Sequence, residues 1–159
     1  MRTTASPTSA LARFLPLVIV AVTVVCYLNT LPNEFVFDDE WYILDQPLVQ
    51  DLDAALTEAW SQRRPLLLIS FALNYYVDGF AQPGYHAVNL LIHALAGLAL
   101  FGLVRRTVEL PCWAGRFDTT SRYLAGAVAL LWVAHPLATQ GVTYTVQRGE
   151  SMMGLFLFT

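Results

Sequence analysis

Three long apolar stretches, over residues 14–31, 85–104 and 122–138, constrain the fold of this 159-residue chain. A helix needs about 20 apolar residues to cross a bilayer, and the first two stretches have 18 and 20 residues without a charge. Only 13% of all residues are charged and 56% are apolar, which is unusual for a water-soluble domain. We therefore predict an all-α, polytopic integral membrane protein.

The arginines indicate which side of the membrane each connection occupies. Short loops rich in arginine favour the cytoplasm, so we place residues 1–13 and 105–121 inside and residues 32–84 and 139–150 outside. The arginines that decide this are Arg2, Arg13, Arg105, Arg106, Arg116 and Arg122. Residues 151–159 begin a fourth apolar run that is too short to cross, so we expect the chain to be the amino-terminal part of a longer protein.

The start of the chain has two interpretations. Arg2 and Arg13 precede an apolar run, as they do in a secretory signal. The run 14–31 is long, however, and lacks a convincing small-residue cleavage site, so we prefer a retained first span.

The outer loop, residues 32–84, is acidic and carries nine Asp and Glu residues against Arg63 and Arg64. Its apolar part, residues 65–80, resembles a span. Polar side chains recur there every four residues, which draws a narrow stripe along a helix that lies at the interface or against other helices. These side chains are Ser70, Asn74 and Asp78. We therefore expect a peripheral helix here, and a second short helix over residues 51–60.

The second span carries polar residues on one helical face, namely His86, Asn89, His93 and Gly97. Such a face meets protein rather than lipid. We assign Asn89 and His93 to hydrogen bonds between helices. His86, at the outer end of this span, and His135, at the outer end of the third, are candidate substrate-binding residues.

Asp38, Asp39 and Glu40 follow the first span directly, so they lie at the outer membrane surface. A carboxylate there could act as a general base for a hydroxyl nucleophile. Two adjacent carboxylates, Asp38 and Asp39, could split such a task, one to take the proton and one to orient the acceptor. The alternative is an N-cap and first turn of a helix that begins near Trp41, where acids favour the helix dipole.

Two arginines are candidates for binding a phosphate group, because a guanidinium binds phosphate in a bidentate manner. They are Arg64, at the start of the peripheral helix, and Arg148, with Glu150 as its expected ion-pair neighbour and a further candidate substrate-binding residue. Asp38, Asp39, His86 and His135 are of metal-ligand type. Their spacing is not compact, so we expect no metal site.

The order of these motifs resembles the TMTC-type protein O-mannosyltransferases, the transmembrane and tetratricopeptide-repeat-containing members of the GT-C glycosyltransferases. The residues that carry the resemblance are Tyr27-Leu28-Asn29, Phe35-Val36-Phe37-Asp38-Asp39, Arg64-Pro65-Leu66, Ser70-Phe71, Leu73-Asn74-Tyr75, Gly84-Tyr85-His86, Asn89, His93, Ala134-His135-Pro136 and Arg148-Gly149-Glu150. The resemblance covers residues 27–158. No 34-residue repeat is present, which departs from the family pattern.

The resemblance implies an enzyme that moves a sugar, typically mannose, from a polyprenyl- or dolichyl-phosphate carrier to protein hydroxyls on the outer or lumenal face. It also implies that the acidic motif of the first outer loop, here Asp38 and Asp39, is catalytic. The expected partners are the bilayer, the lipid-linked sugar donor and a protein acceptor, with no cofactor and no nucleic acid. We expect the bacterial inner membrane rather than the endoplasmic reticulum.

Two other classes of protein fit the sequence. A non-catalytic assembly or anchoring subunit, or an inactive remnant of such an enzyme, would keep the packing motifs and transfer nothing. A small transporter ranks third, because the acidic residues lie outside the hydrocarbon rather than within a span.

Overall fold

The computed structural model describes residues 12–159, which form helices joined by short turns, with no strand in that range. The α-helices of this range are α1 (Leu15–Tyr27), α2 (Leu52–Glu58), α3 (Pro65–Asp78), α4 (Gln82–Val108), α5 (Ser121–Val133), α6 (Gln140–Thr143) and α7 (Arg148–Phe158). The predicted all-α class is confirmed. Residues 1–11, most of the predicted cytoplasmic amino terminus, lie outside the described residues.

The 27-residue helix α4 is the centre of the fold and packs against α1, α5 and α7. Gly97 permits the close approach, because a Cβ atom there would collide with Val133 of α5 and touch Ile19 of α1. Around this crossing lies an apolar cluster that consists of Ile19, Phe101, Ala125, Ala129 and Val133. A small residue at a helix crossing is a common way to bring backbones together in a membrane.

The polar face of α4 is buried against other helices, as the sequence predicted. Nε2 of His93 lies 3.2 Å from the backbone oxygen of Val133, and the ring stacks on Trp132 with centroids 4.7 Å apart. Tyr27 of α1 meets the same imidazole edge-on at 5.4 Å. His93 therefore joins α1, α4 and α5, and the predicted hydrogen bond between helices is confirmed.

The outer loop folds against the bundle through its own small core. Asp51 caps α2 by accepting a hydrogen bond from the Ala54 N–H at 3.0 Å, which confirms a short helix in this region. The loop core joins α3, α4 and the turn that precedes α7, and its buried members are Ile43, Val49, Leu67, Phe71, Tyr85 and Val146. This core fixes the loop relative to the helices.

In the described range, α4 is the one unbroken helix that is long and apolar enough to cross a membrane. The helix α5 and residues Pro136–Thr143 form a second possible span if the two are taken together as one span bent by 56°. The apolar helix Leu15–Thr30 is shorter than a usual span. The polytopic arrangement and its boundaries therefore remain a prediction.

The predicted third span, residues 122–138, is not one continuous helix. The helix α5 ends at Val133, and a short helical turn over Pro136–Ala138 follows. The cause is Pro136, which lacks an N–H and disfavours helical backbone at His135. At the other end of the outer turn, α7 begins at Arg148 rather than at residue 151.

Candidate active site

The acidic motif forms a tight turn that leads into the short helical turn Glu40–Leu44. Phe37 adopts a left-handed conformation with φ of 53°, which reverses the chain immediately before the two aspartates. A large side chain is uncommon in this region and costs conformational energy. The reversal lets one carboxylate oxygen of Asp39 accept a hydrogen bond from the Val36 N–H at 3.1 Å.

Asp39 is buried, with 1% of its surface exposed, and it binds backbone from two distant parts of the chain. Its second oxygen accepts a hydrogen bond from the Val146 N–H at 2.8 Å. Burial raises the pKa of this carboxyl, while the two N–H donors and nearby His86 oppose the rise. Asp39 occupies the N-cap position of the helical turn Glu40–Leu44 and Glu40 lies in its first turn, as the alternative interpretation predicted, but the Asp39 carboxylate makes no capping hydrogen bond.

Asp38 is exposed and therefore accessible to a ligand. Its backbone N–H donates to the hydroxyl oxygen of Tyr144 at 3.0 Å. Burial raises the pKa of Tyr144, and the charges of Asp38 and Asp39 raise it further, while the Asp38 backbone contact lowers it. Tyr144 also meets the ring of Phe37 edge-on, with centroids 6.2 Å apart. The two aspartates thus differ: Asp38 faces outward and Asp39 is enclosed.

His86 is brought to the acidic motif. It is fully buried, and its Nε2 lies 3.1 Å from the backbone oxygen of Asn33. Among the described residues its Nδ1 has no hydrogen-bond partner, and the hydroxyl of Thr145 is buried beside Asp39. Thr145 is close enough to Asp39 to lower the pKa of that carboxyl. A buried polar group without a partner is unusual in a folded protein.

His135 is not brought to the acidic motif. Its side chain is exposed, and its Nδ1 accepts a hydrogen bond from the Leu137 N–H at 3.2 Å, next to the break after α5. In the part of the chain that the structure describes, no group of three or more His, Cys, Asp and Glu residues is placed to hold a metal ion.

Arg148 lies inside the protein, with 0% of its surface exposed. All three nitrogens of its guanidinium donate to protein groups, on Asn89, Ser70 and Tyr85. Burial lowers its pKa to about 9, which still leaves it charged at neutral pH. The expected ion pair with Glu150 does not form, since the single ion pair within residues 12–159 joins Arg105 and Glu109.

Arg64 and Glu150 are both exposed and line the same cleft, whose volume is about 370 Å³. The other lining residues are mostly apolar: Pro65, Leu66, Leu67, Gly149, Met152, Met153 and Phe156. Arg64 also borders a second cleft, of about 270 Å³. The side chains there are more polar and include Tyr42, Gln46, Gln62 and Arg63. Arg64 thus stands between a polar and an apolar cleft.

The turn that supplies Tyr144, Thr145 and Val146 was not predicted from the sequence as part of the site. Tyr144 contributes its hydroxyl and Val146 contributes its backbone N–H. Every residue except proline has a backbone N–H, so no residue type signals the second contribution. The pairs they form with the acidic motif are more than 100 residues apart along the chain. The one local signal was a tyrosine in the predicted outer loop 139–150.

The fold and site define a helical protein with a membrane-length central helix and a carboxylate motif held at one end of the bundle. Over most of its length the chain is homologous to the TMTC family of protein O-mannosyltransferases, as the order of its motifs predicted. It is 27% identical over 154 residues to the "Protein O-mannosyl-transferase F38B6.6" of Caenorhabditis elegans, which covers 88% of this chain and 21% of that protein.

Two further relatives show the same pattern. Human "Protein O-mannosyl-transferase TMTC4" is 30% identical over 176 residues, covering 94% of this chain and 23% of its own length. Drosophila melanogaster "Protein O-mannosyl-transferase Tmtc2" is 36% identical over 141 residues, covering 79% of this chain and 14% of its own. The chain therefore spans less than a quarter of the length of these relatives. No protein-family model matches the chain. No solved structure matches it either.

Proposed function

We propose that this chain carries the acidic catalytic motif and part of the donor site of a glycosyltransferase that uses a lipid-linked sugar. The sugar is mannose, the carrier is a polyprenyl or dolichyl phosphate, and the acceptor is a protein hydroxyl. The relatives named as protein O-mannosyl-transferases support the reaction class. The observation that carries the proposal is the geometry of Asp38 and Asp39, one exposed and one enclosed and held by two backbone N–H groups.

The reaction assigns different tasks to the two carboxylates. The acceptor hydroxyl attacks the anomeric carbon of the sugar, a new C–O bond forms, and the lipid phosphate leaves with the electrons of the broken bond. Asp38 is the group that a substrate can reach, so it takes the hydroxyl proton as general base. Asp39 is enclosed, and its bonds to Val36 and Val146 hold Asp38 in position.

The two clefts beside Arg64 match the three parts of such a donor. The phosphate would meet the exposed guanidinium of Arg64, the lipid chain would lie along the apolar cleft, and the sugar would enter the polar cleft. Tyr42, which lines the polar cleft, donates its N–H to the backbone oxygen of Asp38 at 3.0 Å. The polar cleft therefore begins one helical turn from the proposed base.

The proposed topology places this site at the outer surface of a bilayer. In it, α4 crosses the membrane, with the acidic motif near its amino-terminal end and Arg105 and Arg106 in its last turn on the cytoplasmic side. We place the protein in a bacterial inner membrane. The polytopic arrangement, with spans 14–31 and 122–138 in addition, belongs to the same proposal.

Donor binding by the purified protein separates this proposal from an anchoring subunit. We expect polyprenyl-phosphate mannose in detergent micelles to bind the wild type, and the Arg64→Gln variant to bind at least about tenfold more weakly, since an exposed charge-assisted contact is lost. Arg106→Gln is the matched control, because Arg106 is exposed at the opposite end of α4. Absence of binding would favour the anchoring subunit, and equal binding by both variants would contradict the role of Arg64 in the donor site.

A further inference from the structure

The guanidinium of Arg148 connects three helices. Nε donates to Asn89 Oδ1 of α4 at 2.6 Å, and Nη2 donates to the backbone oxygen of Tyr85, also in α4, at 3.0 Å. Nη1 donates to both the backbone oxygen and the Oγ of Ser70 in α3, at 3.1 Å each. Because Arg148 is the first residue of α7, these bonds fix the start of α7 against α3 and α4.

This cation is buried without a carboxylate partner among the described residues. Its charge is stabilised by the neutral acceptors and by two aromatic rings, with the guanidinium carbon 4.5 Å from the Phe71 centroid and 5.7 Å from that of Tyr85. Burying a charge in this way is costly, and an apolar contact would join the helices at lower cost. The planar guanidinium, however, fixes the directions of several hydrogen bonds at once.

The directions of these hydrogen bonds matter because the residues just before Arg148 bind the acidic motif. The short helical turn Thr145–Gln147 leads directly into Arg148, so the two segments have little freedom to move apart. Within that turn, the Val146 N–H donates to Asp39. The Val146 side chain is buried in the same cluster as Phe71 and Tyr85, the two rings that contact Arg148. The hydrogen bonds of Arg148 thus fix the position of the Val146 N–H, and this N–H in turn positions Asp39.

We propose that Arg148 is a positioning residue for the Asp38–Asp39 motif, acting through the Val146 N–H rather than by contact with substrate. The catalytic importance of this positioning rests on the proposed function of the two aspartates. The inference replaces the predicted binding of a lipid phosphate by Arg148, because the guanidinium is enclosed and all its nitrogens already donate to protein. Of the two arginines predicted to bind the phosphate, Arg64 keeps that role in the proposed donor site.

The test is an NMR measurement on the isotope-labelled 159-residue protein in micelles, comparing wild type with Arg148→Lys. Lysine keeps the charge but cannot reach four acceptors with one ammonium group. We expect the exchange of the Val146 amide hydrogen to accelerate by about tenfold or more. We also expect the pKa of Asp39 to rise further, because the Val146 N–H, which lowers this pKa, no longer donates steadily to the carboxyl.

Tyr27→Phe is the matched control. It removes a buried hydrogen bond of 3.1 Å to the backbone oxygen of Val133, a bond that involves neither the acidic motif nor the turn Thr145–Gln147. It should lower the melting temperature while leaving the Val146 amide and the Asp39 pKa unchanged. If Arg148→Lys behaves in the same way as Tyr27→Phe, Arg148 is only a structural residue and the inference is wrong.

A milder variant covers the case in which Arg148→Lys does not fold. Ser70→Ala removes one acceptor, the Oγ, and keeps the backbone acceptor. It should change the exchange rate of the Val146 amide hydrogen and the pKa of Asp39 in the same direction as Arg148→Lys, but by less. If neither quantity changes, the inference is wrong. Neither reading requires sugar transfer. A failure of the proposed function, seen as transfer that is insensitive to the aspartates, is therefore distinguishable from a failure of the positioning role.

Discussion

Asp39 is enclosed, and both of its oxygens accept backbone hydrogen bonds. Enclosure disfavours the charged form, and N–H donors favour it. Burial is the larger effect, so the pKa of this carboxyl is raised from its ordinary value of 3.8. The folded chain therefore binds this proton more tightly than the unfolded chain.

The consequence is a stability change with a defined sign. As pH rises from the ordinary pKa through the raised one, the unfolded state loses the proton first, so the free energy of unfolding falls. The Asp39→Asn variant cannot lose this proton. We expect the unfolding free energy of the wild type minus that of the variant to decrease over this window and then level off. Chemical denaturation of both proteins in micelles between about pH 3 and pH 7 measures this difference in unfolding free energy. A difference that rises with pH would contradict the assignment.

At the scale of the elements, the crossing of α4 with α1 and α5 depends on the absence of a side chain at Gly97. A Cβ atom at Gly97 would overlap the Val133 side chain. Val133 is fully buried and also supplies the backbone oxygen that Tyr27 and His93 approach. The overlap therefore cannot be relieved without moving α5.

We predict that Gly97→Ala lowers the free energy of unfolding by about 1–3 kcal/mol, the usual cost of overpacking. Gly102→Ala, in the same helix, is the control: its Cβ would meet nothing within 4 Å. Alanine favours the helix over glycine by about 0.5–1 kcal/mol, so this variant should be slightly more stable. Thermal unfolding in one detergent compares them. Equal effects of the two substitutions would show that α4 and α5 do not meet at Gly97.

The elements show what the sequence can and cannot predict. The polar face of α4 and the stripe of α3 follow from helical periodicity, because residues four apart share a face. In the structure, His93 of the α4 face contacts the backbone oxygen of Val133 in α5, and Ser70 of the α3 stripe accepts a hydrogen bond from Arg148 of α7. The bond between Asp39 and Val146 joins residues 107 apart, and no local pattern encodes it. For the same reason Arg148 resembled a phosphate ligand, since the sequence gives its charge but not its burial.

At the scale of the whole molecule, the described residues bring together a membrane-length helix, an acidic motif and two clefts beside Arg64. The relatives named as protein O-mannosyl-transferases extend well beyond the length of this chain. We propose that this chain contains the base of the transfer reaction.

The most direct test is mannose transfer from polyprenyl-phosphate mannose to a protein hydroxyl, measured in membranes that contain the protein. We expect Asp38→Asn to lower the rate by about 10²- to 10⁴-fold, the usual contribution of a general base. Asp39→Asn should also lower it, by misplacing Asp38. The neighbouring Glu40→Gln variant, also exposed, should transfer at close to the wild-type rate. If folded Asp38→Asn and Asp39→Asn proteins both transfer mannose as fast as the wild type, the acidic motif is not the catalytic site.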